Sequence, residues 1–117
     1  MNDRELLTLA AKAAGIEVAY WNDGSEPYSS GEGFVLASNR IWNPLTADGV
    51  ALRLAVQLEL KIYHSWDETV NVYVGYSTPG AKHRTLYMIE KHGSDARWAT
   101  RRAIVRAAAE IDRKSVV

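Results

Sequence analysis

The sequence predicts an α+β fold in the order α-β-β-α-β-β-β-α: one antiparallel sheet of about five strands, with helices packed on it in layers. Three observations carry this. Apolar residues recur with helical spacing near the start, after Asn43-Pro44 and from Ala96 onward. Val70, Val72, Val74 and Tyr76 alternate strictly with other residues, the mark of a strand with one buried face. Turn-forming clusters separate the strand-like runs into a meander. A chain of 117 residues, 47% apolar and 24% charged, is expected to form a single domain over residues 1–117 with a core of its own.

Asn2 or Asp3 caps the first expected helix, because a short side-chain oxygen there satisfies an orphan backbone N–H. Leu6, Leu7, Leu9, Ala10, Ala13 and Ala14 share one arc of it, and Gly15 stands where a left-handed C-terminal cap is wanted. Residues 16–21 alternate well enough for a strand. Residues 22–33 are rich in turn formers without periodicity and are expected to be a flexible loop, in which Tyr28 would suit partner contact. Residues 34–38 resume as a strand and should pair with the first as a wide hairpin.

Pro44 stops a strand ending near Trp42, since it has no N–H for a ladder and biases Asn43 towards extended backbone. Thr46 is the expected N-cap of the next helix, with Asp48 in its first turn. Val50, Ala51, Leu54 and Leu58 lie on one side of that helix, and Leu52, Val56 and Leu60 on another. A helix apolar on two sides should be wedged between two layers.

Residues 61–66, 69–76 and 85–90 form the meander. Tyr63, Tyr73 and Tyr87 fall on its less apolar face, a candidate partner-binding surface, although tyrosine is also common in ordinary strands. The last helix runs from Ala96 to about Lys114, with an alanine-rich face and a stripe of Arg102, Arg106 and Arg113; residues 115–117 should fray.

Charge is unevenly placed. Residues 1–80 carry 5 Lys/Arg against 10 Asp/Glu, and residues 81–117 carry 9 against 4. Either the basic last third lies against the acidic remainder, or Arg102, Arg106 and Arg113 with Lys82 and Arg84 form a nucleic-acid-binding face. The overall charge of zero favours the former.

Two stretches, Trp42-Asn43-Pro44-Leu45-Thr46-Ala47-Asp48-Gly49-Val50-Ala51-Leu52-Arg53-Leu54-Ala55-Val56 and residues 93–111 from Gly93-Ser94-Asp95-Ala96-Arg97-Trp98 to Ile111, resemble a family of small tailed-phage and prophage proteins, the phage ABA sandwich domain. The opening Asp3-Arg4-Glu5-Leu6-Leu7 with residues 10–16 is similar to it as well. The matching stretches are the three expected helices, under half the chain. The resemblance implies a layered α/β/α arrangement and a phage or prophage origin. It carries over no catalytic or ligand residue.

Motifs of chemistry are missing from the sequence. It has no cysteine, so disulfides, thiolate catalysis and Cys-based metal sites are excluded. His64, His83 and His92 lack the helical spacings of a metal site, and no nucleophile elbow or phosphate-cradling glycine loop occurs. No cofactor is expected. The expected function is therefore that of a non-enzymatic phage or prophage accessory protein that binds a host or phage macromolecule, with inhibition of a host defence or regulatory protein as the specific form. The alternatives are nucleic-acid binding by the basic last helix, and a small-ligand binder or small enzyme. The absence of a signal-like start and of a long apolar run points to the host cytoplasm and away from a membrane. A homodimer through the alanine face is a further option.

Overall fold

A computed structural model describes residues 1–25, 31–78 and 82–115, with side chains for all of these except 76–78, 82–84 and 113–115. The elements are α1 (Asp3–Ala14), β1 (Tyr20–Asn22), β2 (Gly33–Val35), β3 (Ile41–Trp42), α2 (Asp48–Gln57), β4 (Lys61–His64), β5 (Thr69–Thr78), β6 (Lys82–Lys91) and α3 (Ala96–Ser115). The α+β class holds, but the single five-stranded sheet does not. The described strands form two antiparallel three-stranded sheets, β1-β2-β3 and β4-β5-β6. The expected order had two strands ahead of α2 where there are three: the strand expected to end near Trp42 is a separate two-residue β3, too short for a periodic signal of its own.

α1 begins as expected, with Asn2 Oδ1 accepting from the Glu5 N–H at 2.8 Å. It ends on Gly15 at φ 69°, with Gly15 N–H donating to the Lys12 carbonyl and Ile16 N–H to that of Ala11. Ile16 is thereby part of the helix cap. That is why the first strand starts at Tyr20 and not at Ile16.

α3 is the centre of the molecule. Ala99, Ala103, Ile104, Val105, Ala107, Ala108 and Ala109 are all buried, and at 100° per residue they lie on almost every side of the helix. α1, α2, β5 and β6 all pack against it. Alanine permits this, because short side chains let several elements approach one helix closely.

α2 was expected to hold that place and does not. Only Ala51, Leu54 and Ala55 of it are buried, while Leu52 and Val56 are 60% and 70% exposed. Thr46 is not its N-cap either. Ala47 holds that position without a side-chain bond, and the Thr46 hydroxyl turns back to the Asn43 carbonyl at 3.3 Å. The helix entrance is held instead by Arg101 of α3, whose Nε donates to the Leu45 carbonyl at 2.7 Å and whose guanidinium pairs with Asp48 at 2.6 Å.

Asn43, ahead of that turn, is buried with both side-chain polar atoms hydrogen-bonded. Its Oδ1 accepts from the Leu45 N–H at 3.0 Å, and its Nδ2 donates to the Glu32 carbonyl at 2.8 Å. The strand stop read at Asn43-Pro44 is therefore also a tie to the end of the 22–33 segment. Asn22 Nδ2 holds the Gly31 carbonyl at 2.7 Å. Ser115 is still helical; residues 116 and 117 lie outside the described residues, so the expected fraying there is not addressed.

Candidate functional site

Register decides which side chains share a face of the β4-β5-β6 sheet. Val72 stands opposite Ile62 and Met88, and Val74 opposite Leu86, so these residues form the face that α3 covers. Val70, Val72, Val74 and Leu86 are buried there. The other face carries Lys61, Tyr73 and Tyr87 in one cross-strand row and Tyr63, Asn71 and Ile89 in the next.

That second face is open. Tyr63, Tyr87 and Ile89 are 56%, 60% and 57% exposed. Tyr73 and Tyr87 stack with ring centroids 5.4 Å apart and planes 20° from parallel. Lys61 places its ammonium 5.9 Å from the Tyr73 ring centroid, within cation–π range. Thr85 and Lys91 lie on the same face of β6, and Thr69 on that of β5. Asn71 donates to the Ser65 hydroxyl at 3.1 Å. The face thus combines tyrosine, isoleucine and lysine, and none of its described side chains is a carboxylate.

The structure brings three of the four expected partner-binding residues together; the fourth, Tyr28, lies outside the described residues. Two neighbours on or beside this face were missed in the sequence. Ile89 reads as an ordinary strand apolar, and only register shows that it faces away from α3. Trp66, at the β4–β5 turn, is 95% exposed, with Asp67 and Glu68 beside it.

The basic stripe of α3 is arranged differently. Glu90 sits on the α3-facing side of β6, opposite Val70. It accepts from Arg106 and lies 3.5 Å from Arg102 Nε; Arg102 also approaches Asp3 at 3.7 Å. These two partly exposed guanidiniums are thus engaged with carboxylates of β6 and α1. Lys82 and Arg84 belong to β6 and Arg113 to α3, but their side chains are outside the described set.

Two other features bear on chemistry. His64 Nδ1 and His92 Nε2 are 3.1 Å apart, so one ring donates to the other across the end of the sheet. Among the described residues, no group of three His, Asp or Glu side chains is placed to hold a metal ion. A cleft of about 280 Å³ between α2, β4 and α3 is lined chiefly by apolar groups such as Ala51, Leu52, Ile62 and Ile104. Asp48 and Arg101 at its rim are already paired to each other.

Asp95 caps α3. Its carboxylate accepts from the N–H groups of Trp98 at 3.1 Å and Arg97 at 3.0 Å. These bonds, that from Trp98 first, hold its pKa below the ordinary aspartate value. The effect belongs to the helix end and not to a reactive site.

Among the described residues, no helix is long and apolar enough to cross a membrane. Compared with protein-family models, curated proteins and solved structures, the chain matches none.

Proposed function

We propose that this chain is a non-enzymatic binding protein that engages a macromolecule through the open face of the β4-β5-β6 sheet. The observation that carries the proposal is the gathering of Tyr63, Tyr73, Tyr87 and Ile89 on one exposed face of a sheet whose other face is filled by α3. Tyrosine suits recognition because it offers a large, stiff ring with a polar tip at small entropic cost. The cleft beside α2 favours a small-molecule reading less. It is small for a ligand pocket, and two of its polar lining groups, Asp48 and Arg101, are paired to each other. The resemblance of the helical segments to phage ABA sandwich proteins supplies the setting of the proposal. In it the partner is a host or phage macromolecule, and blocking a host defence or regulatory protein is one form that binding takes.

Site-specific photo-cross-linking tests this. A photoreactive phenylalanine analogue at position 87 or 63 should give a discrete adduct in host extract, and the same group at position 53, on the exposed side of α2, should not. Equal, diffuse labelling from positions 53 and 87, or no adduct at 63 and 87, would contradict the proposal.

A further inference from the structure

We infer that the macromolecule taken by this face is a single-stranded nucleic acid, an inference that rests on the reading just given. Charge and ring placement carry it. The described part of the face has Lys61 and Lys91 and no carboxylate, in a chain whose net charge is zero. Of the carboxylates near it in sequence, Glu59 precedes β4 and Glu68 lies in the β4–β5 turn, while two others are engaged away from the face. Glu90 points to the α3 side, where Arg106 and Arg102 neutralise it, and Asp67 accepts from the Thr69 hydroxyl at the hairpin end. The arrangement that engages Arg102 and Arg106 therefore also removes a carboxylate from the route to the sheet face.

The rings are placed for stacking. Tyr73 and Tyr87 lean on each other, which leaves the exposed Tyr87 ring available to a base; Tyr63 stands two residues further along on the opposite edge strand. Alternate residues of a strand are about 6.8 Å apart, a spacing that an extended single strand can follow. Unpaired bases of any sequence have a π-face to stack, and lysines beside the rings meet the phosphates. A duplex keeps its base faces internal and offers such a flat face only its backbone. A protein with an acidic surface would also meet the tyrosines and lysines, and is the alternative outcome of the test.

The path is bounded. A bound strand crosses the face between Tyr63 and Tyr87 and avoids the turn, because Asp67 and Glu68 repel phosphates there. Trp66, though the most exposed aromatic residue among those described, then lies off the path.

The test is fluorescence anisotropy of labelled 15-mers, oligo(dT) and oligo(U), with the full chain at low salt. Binding of either is expected, with affinity falling as salt rises. Y87A and Y63A should each weaken it by about fivefold to a hundredfold, the range of one lost base–aromatic stack. Y87F should bind like wild type, and W66A should stay within about twofold. Replacing Lys61 by glutamine should lower the slope of log K against log salt by about 0.7, the contribution of one phosphate contact to a single strand. Circular dichroism of each variant verifies that it is folded. No binding to either oligomer, binding indifferent to Y87A, or a larger loss from W66A than from Y87A would overturn the inference. A protease-sensitive, nuclease-resistant adduct from position 87, together with no oligonucleotide binding, would overturn it while leaving the proposed binding face standing. Absence of both adduct and binding would remove both.

Discussion

Gly33 carries more of this fold than its setting in a glycine-rich loop suggests. Gly31 and Gly33 read as flexibility in the sequence, yet Gly33 is buried at φ 153°, in β2 beside β3. A Cβ there would stand 2.8 Å from Ile41 Cγ2 and 2.9 Å from the Trp42 carbonyl oxygen. Gly33→Ala should therefore destabilise the chain by about 1–3 kcal/mol, the usual cost of forcing atoms into a packed site, as read from a urea unfolding curve. The backbone partner that makes Gly33 necessary is eight or more residues away, so no local pattern announces it. Asp95 is the opposite case, legible at once as a helix cap. Its pKa is lowered chiefly by the Trp98 N–H, so its contribution is fully present above the unfolded aspartate pKa of about 4 and is lost as pH falls through the lower folded value. Asn keeps the hydrogen-bonding oxygen without the charge. The stability advantage of wild type over Asp95→Asn, measured as the shift in urea midpoint, should thus be larger at pH 7 than at pH 3.

Among the elements, α2 and α3 exchange the roles that composition suggests. α2 has the stronger run of large apolar residues, and the wheel cannot say which of two apolar sides meets a neighbour. α3 has small residues, and alanine's burial is invisible to hydropathy alone. Leu54→Ala should cost about 2–5 kcal/mol and Leu52→Ala no more than about 0.5, because Leu54 is buried and Leu52 is exposed. Equal costs in urea unfolding would restore the two-sided α2. The join between α3 and β6 is equally testable. Glu90 is only partly exposed and receives Arg106 and Arg102, so Glu90→Gln should cost about 1–3 kcal/mol. A double-mutant cycle with Arg106→Met should show coupling above about 0.5 kcal/mol.

At the scale of the whole molecule, the three helices, their approximate bounds and the β4-β5-β6 meander were all legible, because each has a periodicity of its own. What was not legible is how the elements meet. Two three-stranded sheets replace one sheet of five because β1, β2 and β3 pair only among themselves, and pairing is a long-range choice that short strands do not encode. The candidate site shows the same division. The alternation identified Tyr63, Tyr73 and Tyr87 as sharing a face, and register then added Ile89, whereas the partner that Arg102 and Arg106 share, Glu90, lies on another element and could not be read from the helix pattern. With α3 gathering α1, α2 and the inner side of β4-β5-β6 around itself, the outer side of that sheet is left to solvent and, on this account, to a partner. Hydroxyl-radical footprinting of the same chain, first purified and then in host extract, tests that claim most directly. Tyr63, Tyr87 and Ile89 should be modified readily in the purified protein and protected in extract, while exposed Val56 on α2 reacts alike in both. Tyrosines as unreactive as buried Val72 when pure, or as reactive in extract as without it, would contradict it.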